Sequence, residues 1–227
     1  MGDTAGWSCG REAAGAVGSG EQSPLAVRVV ATLAGMLVAL LSPELVQANV
    51  PALGTLLQAE PLRTTGPETR APAGHVAFCE VAPADCQVVL TPDVALTDGR
   101  IPFSDGIYVE MDEINRAVNA AIRPISEDPA GPDLWQADVS AGDCEDFALT
   151  KRRHLLALGW PSSALVMATA YIPRGDYHAV LLARTDQGDF VLDNLVERIL
   201  PWTRTGYRFV KVESSVDPRA WYRVAAR

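Results

Sequence analysis

The sequence predicts an α+β domain in which helices come first and an antiparallel sheet follows. Two observations carry this. Over residues 107–122, apolar side chains recur at Met111, Ile114, Val118 and Ile122, a helical stripe that ends before Pro124. A second helix is expected over residues 144–158, with Gly159 as its C-cap and Pro161 as its stop. From Leu165 the pattern changes to the short β-branched or aromatic runs AYI, YHAVLLA and FVLD, divided by Arg174-Gly175-Asp176 and by residues 185–189. Two hairpin-like turns between three apolar runs indicate an antiparallel sheet, to which residues 207–212 (YRFVKV) add a further strand.

Whole-chain properties fit one globular domain. The chain has 227 residues and 24.3 kDa, with 48% hydrophobic and 21% charged residues and a formal charge of -9. The acidic balance and the lack of a basic stripe exclude a nucleic-acid footprint. No apolar run reaches the roughly 18–20 residues needed to span a bilayer.

Residues 29–41 (VVATLAGMLVALL) form a short apolar run, preceded by Arg28 and followed by Ser42-Pro43 and then Val46-Gln47-Ala48. Charge, short apolar core and small-residue site in that order make the secretory signal pattern; a buried helix or an uncleaved anchor is the alternative. The reading divides the chain into a leader over 1–48, with the signal itself at 27–48, a linker or loosely docked arm over 49–73, and the domain proper over 74–227. Cleavage after Ala48 removes four acids and two bases, leaving 179 residues at charge -7 and no stable membrane span.

Export to the periplasm or beyond places the cysteines in an oxidising compartment. Cys9 leaves with the leader. Cys79 and Cys86 lie seven apart in AFCEVAPADC, where Pro83, Ala84 and Asp85 suggest a loop that closes a small disulfide ring; two buried thiols are the alternative. Cys144 is then the leftover thiol, and so a nucleophile candidate.

Cys144 follows Gly142-Asp143 at a helix start, where unpaired backbone N–H groups and the helix dipole favour a thiolate. His178 lies on the second strand run and Asp193 ends the third. A hairpin centred between residues 185 and 186 makes the two equidistant from its turn, so they can face each other with the helix end above them. Nucleophile, base and orienting acid in that arrangement suit covalent acyl transfer. The Cys144 backbone N–H is the natural oxyanion donor, and Trp135 or Gln136 in the loop over 126–140 is a candidate for a second, with a core anchor the alternative for Trp135. Asp143, Glu145 and Asp146 crowd the nucleophile and would oppose thiolate formation. Either they act as helix N-terminal acids or a hard cation neutralises them, with Asp146 better suited to bonding a loop N–H or an arginine. Lys151, Arg152 and Arg153 read as a surface patch. His75 has no evident partner, and His154 belongs on the solvated helix face.

SAGDCEDFALTKRRHLLALGWP and AYIPRGDYHAVLLARTDQGDFVLDNL, with GHVAFCEVAPADC, INRAVN and LPWTRTGYRFVKV, resemble the bacterial transglutaminase-like cysteine proteinases, a family that includes LapG-type periplasmic proteases. The similarity extends over residues 74–222. It implies a papain-like, transglutaminase-core fold, with Cys144 as nucleophile, His178 as general base and acid, and Asp193 orienting the imidazole. It further implies Asp143 and Glu145 as calcium ligands, although the chemistry itself requires no cofactor. The function expected is an exported cysteine endopeptidase acting through a thioester on a secreted or cell-surface protein such as an adhesin, under a membrane-receptor regulator. Amide transfer by a transglutaminase and a calcium-dependent binding module without turnover are the alternatives.

Overall fold

A computed structural model describes residues 60–89, 99–125 and 131–225. The expected leader and residues 49–59 of the arm lie outside them. The helices are α1 (Ala73–Val81), α2 (Asp105–Ala121) and α3 (Cys144–Ala157). The strands are β1 (Thr64–Thr69), the short β2 (Arg123–Pro124) and β3 (Ala141–Gly142), then β4 (Leu165–Tyr171), β5 (Tyr177–Thr185), β6 (Gly188–Leu192), β7 (Leu200–Pro201), β8 (Arg208–Glu213) and β9 (Trp221–Val224). The predicted α+β class holds, with both helices and all three apolar runs where the periodicity put them.

Seven strands form one antiparallel sheet in the order β1-β9-β8-β4-β5-β6-β7. Its central strands are buried on both faces, so they read as continuous apolar runs. Leu165, Met167, Leu181 and Ala183 point to the helices and join Met111, Ala148, Leu149, Leu155 and Trp221 in the larger core. Val166, Ala168, Val180, Leu182 and Val191 point the other way, beneath Trp202 and Phe209.

The described part of the arm, from residue 60 on, is docked on the sheet. Residues 64–69 form the edge strand β1 against β9, with Thr64 opposite Val224. Leu62 N–H donates to Asp189 Oδ2 at 2.7 Å, and the Trp202 indole donates to the Glu60 carbonyl at 2.6 Å. TTGPET shows no strand alternation because every residue of β1 but the last is exposed; the backbone ladder, not burial, holds it.

α2 starts at Ser104, whose hydroxyl accepts from Ile107 N–H at 3.2 Å. Met111, Val118 and Ile122 are buried as the stripe requires, and Asn115 joins them, donating to the Glu197 carbonyl at 2.7 Å. α3 is capped by Asp143 and Asp146 in a reciprocal capping box. It ends at Leu158, with Gly159 at φ +95° and Trp160 N–H returning to the Leu155 carbonyl at 3.1 Å.

The 151–153 patch is not a surface patch. α3 is packed from several sides, and Lys151 and Arg152 are buried while Arg153 is half-buried. Arg152 donates to the Leu165 carbonyl at 3.1 Å and to the Asp85 carbonyl. Arg153 grips both Asp85 carboxylate oxygens at 2.8 and 2.9 Å and Asp138 at 2.6 Å. These bonds fasten α3 to the Pro83–Cys86 turn, which the Cys79–Cys86 disulfide ties in turn to α1.

His75 also has partners. It is buried 3.6 Å from Glu213 Oε1, and Trp221 Nε1 donates to its Nδ1 at 3.3 Å, so it joins α1 to the far end of the sheet. His154 is exposed as expected, 3.2 Å from Asp138.

Candidate active site

Cys144 is the first residue of α3, and Ala179 N–H on β5 donates to its sulfur at 3.2 Å. That contact brings the start of the helix directly against the strand carrying His178. The sulfur itself is disulfide-bonded, and no described cysteine is free, so the leftover-thiol expectation is corrected. Its nucleophilic chemistry belongs to the reduced form.

His178 Nε2 lies 2.8 Å from Asp193 Oδ1, with both side chains buried. The expected pairing across a hairpin is right in its outcome and two residues off in its register. Thr185 pairs with Gly188 and Leu181 with Leu192, so the turn centres on residues 186 and 187. Extended past Leu192, that register puts Val180 opposite Asp193, and His178 reaches the carboxylate diagonally on the same face. Asp193 lies one residue beyond the end of β6, where the chain is free to turn its carboxylate toward β5.

Asp193 is firmly held. Leu195 N–H donates to Oδ1 at 2.9 Å and Tyr207 OH to Oδ2 at 2.6 Å, while Asn119 on α2 donates to its backbone carbonyl at 2.8 Å. Burial pushes its pKa up, but the charge and hydrogen bond of His178, aided by Tyr207 and Leu195, outweigh this and hold it below the usual carboxylate range. Burial and the Asp193 charge push the Tyr207 phenol up, so it stays a donor. Its ring meets the His178 imidazole edge-on at 5.8 Å. With Nε2 on Asp193, Nδ1 is the nitrogen of His178 left for proton exchange, and it is buried with no hydrogen-bond partner among the described residues.

The acids around Cys144 separate into two groups. Asp146 bonds loop and cap N–H groups: Gln136 N–H at 2.7 Å and Asp143 N–H at 3.3 Å. A Cβ on Gly142 would lie 2.2 Å from Asp146 Oδ2, so only glycine leaves room for this cap. Asp143 and Glu145 are buried, and Glu145 Oε2 lies 3.3 Å from the Cys144 sulfur. Asp133, from the preceding loop, joins them through a hydrogen bond with Glu145. Burial raises the pKa of all three, and in Glu145 the Asp143 charge adds to a rise well above the usual carboxylate range.

Trp135 is a core residue, buried in the cluster beside His75 and Trp221, with its indole N–H spent on Asp133 Oδ1 at 2.9 Å. Its indole N–H is therefore engaged elsewhere, and the burial agrees with the core-anchor alternative. The Gln136 backbone N–H is likewise taken by Asp146, and its exposed side chain is what remains for such a role.

Sequence reasoning missed Asp133, Tyr207 and the burial of Lys151. A Pro-Asp-Leu-Trp loop carries no signal that its acid points at a helix start. Tyr207 was legible as part of a strand, but not as a donor to a carboxylate on another loop.

Residues 65–227 match the family model described as bacterial transglutaminase-like cysteine proteinase. No curated protein matches the chain. Among solved structures, calcium-bound LapG of Legionella pneumophila is 24% identical, with 53% of this chain and 71% of that one covered and a TM-score of 0.46. EGTA-treated LapG of the same organism is 22% identical, with 69% and 89% covered and a TM-score of 0.45. Because the family model spans the domain from β1 to the last residue, the chain belongs to the bacterial transglutaminase-like cysteine proteinases.

Proposed function

We propose that this cysteine proteinase acts through Cys144, His178 and Asp193, by way of a thioester, on an exported or cell-surface protein. The buried His178–Asp193 hydrogen bond, on the strand whose next N–H contacts the Cys144 sulfur, carries the reading. Asp193 holds the imidazole with Nδ1 available, so His178 takes the proton of the reduced Cys144 thiol and stabilises the thiolate beside it. The thiolate attacks the substrate carbonyl, and Nδ1–H then protonates the leaving amine. Water attacks the thioester, giving its proton back to His178. The Cys144 backbone N–H at the helix start, with the Gln136 side chain, supplies the oxyanion donors.

The buried carboxylates of Asp143 and Glu145, with the half-buried Asp133 hydrogen-bonded to Glu145, offer oxygen ligands suited to a hard cation, and Asp143 Oδ1 has no hydrogen-bond partner among the described residues. Asp143 and Glu145 would hold calcium, with Asp133 as a third donor. When bound, the ion neutralises the negative charge that otherwise opposes the thiolate. Adding about 1 mM calcium, the range of weak extracellular sites, is expected to raise the melting temperature by several degrees over an EGTA-treated sample. Glu145→Gln should abolish that response, and equal melting curves with and without calcium would rule the site out.

Localisation follows the signal pattern of residues 27–48, and no helix among the described residues is long and apolar enough to cross a membrane. The substrate class is a protein, as for any member of this family; within it, a surface adhesin released under the control of a membrane receptor is the specific reading. Iodoacetamide tests the chemistry. In the reduced protein it should alkylate Cys144 far faster than a free thiol and stop cleavage of a surface-protein extract. Undiminished cleavage after complete alkylation defeats the proposal, and incorporation of a labelled primary amine in place of hydrolysis converts it to amide transfer.

A further inference from the structure

α3 carries one basic residue whose burial no structural bond explains. Arg152 and Arg153 place their charges on carbonyls and carboxylates. Lys151, immediately before them, does not. Its side chain is fully buried, its Nζ has no hydrogen-bond partner among the described residues, and the Phe147 ring centroid lies 5.9 Å away. Lysine is almost never fully buried unless paired, and an apolar residue of similar volume would normally be as stable or more so. Lys151 is seven residues after Cys144, so the two share a face of the helix two turns apart. Phe147 packs with Val118 and Ile122 at the end of α2, where Asn119 donates to the Asp193 carbonyl at 2.8 Å, so Lys151 lies on the side of α3 that faces Asp193, whose charge acts on it.

Asp193 faces a difficulty during turnover. While His178 is an imidazolium, the buried carboxylate has a cation at 2.8 Å. Once Nδ1–H has passed to the leaving amine, the ring is neutral, and Asp193 keeps only the neutral donors Tyr207 and Leu195 N–H.

We propose that Lys151 is a positioning residue of the same reaction, an alternate cation that carries the charge beside Asp193 whenever His178 is neutral. The inference rests on the Cys144–His178–Asp193 reading. Burial pushes the Lys151 ammonium down to about 7 while the Asp193 charge pulls it up, so protonation follows how much of that charge is left uncompensated. With imidazolium present, Lys151 releases its proton to solvent. When the C–N bond breaks and the imidazolium proton leaves on the amine, Lys151 takes one proton from solvent. When water attacks the thioester and the C–S bond breaks, the water proton returns to His178 and Lys151 gives its own back. The two cations share one carboxylate, so their titrations are coupled and reciprocal. The titratable groups of this corner are Asp193 after β6, His178 on β5 and Tyr207 before β8.

p-Nitrophenyl acetate is the probe, since it acetylates a thiolate with visible release of p-nitrophenolate. Lys151→Met should keep the acylation burst of the reduced parent protein but hydrolyse the acetyl-enzyme about tenfold more slowly, the effect of roughly one unit in an effective pKa. A purely structural lysine would leave the ratio of burst to steady-state rate unchanged, and that result overturns the proposal. Cys144→Ala, run beside it, should show no burst. A burst there removes the nucleophile itself, whereas its absence together with parent-like hydrolysis in Lys151→Met removes the lysine inference alone. A second measurement leaves Lys151 in place. The Lys151 Cε signal, followed by NMR, should titrate at least about one pH unit higher in His178→Gln than in the parent; an unchanged midpoint overturns the proposal even if the methionine variant fails to fold.

Discussion

Replacing Cys144 with alanine is expected to abolish peptidase activity, by about a million-fold where the nucleophile of a concerted triad is removed, while the domain stays folded. Cys144 packs against Ala179 in a small cluster, so the loss of one sulfur leaves little empty volume. Relative to the reduced protein, the remaining cost is the Ala179 N–H, which donates to that sulfur; a buried donor left without an acceptor costs about 1–3 kcal/mol. Cys144→Ser restores an acceptor, and should recover much of that stability without recovering turnover. In a strain carrying Cys144→Ala, the substrate should remain at full length on the cell surface. Surface and released proteomes indistinguishable from the parent strain would count against the proposed role.

Asp193→Ala is expected to produce the second-largest effect, and one that strikes activity and stability together. The alanine removes the acceptor of His178, of Tyr207 and of Leu195 N–H in one change. It also leaves His178 as a buried base without its counter-charge, and breaking one side of a buried pair costs about 3–5 kcal/mol. Turnover should fall by about a thousand-fold or more, because the imidazole loses both its fixed tautomer and the charge that stabilises the imidazolium. Asp193→Asn separates these contributions. An asparagine Oδ1 still accepts from Nε2–H, as in Cys-His-Asn proteases, so this variant should lose far less activity than alanine. Thermal melting and steady-state rates on the same preparations decide the matter, and equal losses in both variants would show that orientation is not what Asp193 supplies.

The site was legible where chemistry and secondary structure coincide. Cys144 at a helix start, and His178 and Asp193 on successive strand runs, are visible as residue types at element positions, and the structure brings His178 and Asp193 into hydrogen-bonding contact. Their hairpin register was read two residues short, because residues 185–189 hold several turn-forming residues and only the ladder fixes which pair caps the loop. The basic run at 151–153 was misread for a related reason. A polar helix sequence normally marks a solvated face, but α3 lies between the sheet, α2 and the disulfide turn, and its polar groups are satisfied by carbonyls that no local pattern reveals. β1 failed in the opposite direction, since an exposed edge strand needs no apolar alternation to be held. Asp133 and Tyr207 reach the centre from loops, where spacing along the chain says nothing about direction.

The pairing of β1 with β9 has a consequence for the order of assembly. Thr64 opposite Val224 closes a loop of about 160 residues, whereas β4, β5 and β6 are joined by short turns and β4 and β5 lie next to α3. Loop-closure entropy rises with the length enclosed, and contacts between distant residues form late. The meander and helix that bear Cys144 and His178 are therefore expected to condense before the two ends of the domain meet. In native-state hydrogen exchange, the β1–β9 amides should be the first to open, with the candidate site still closed behind them.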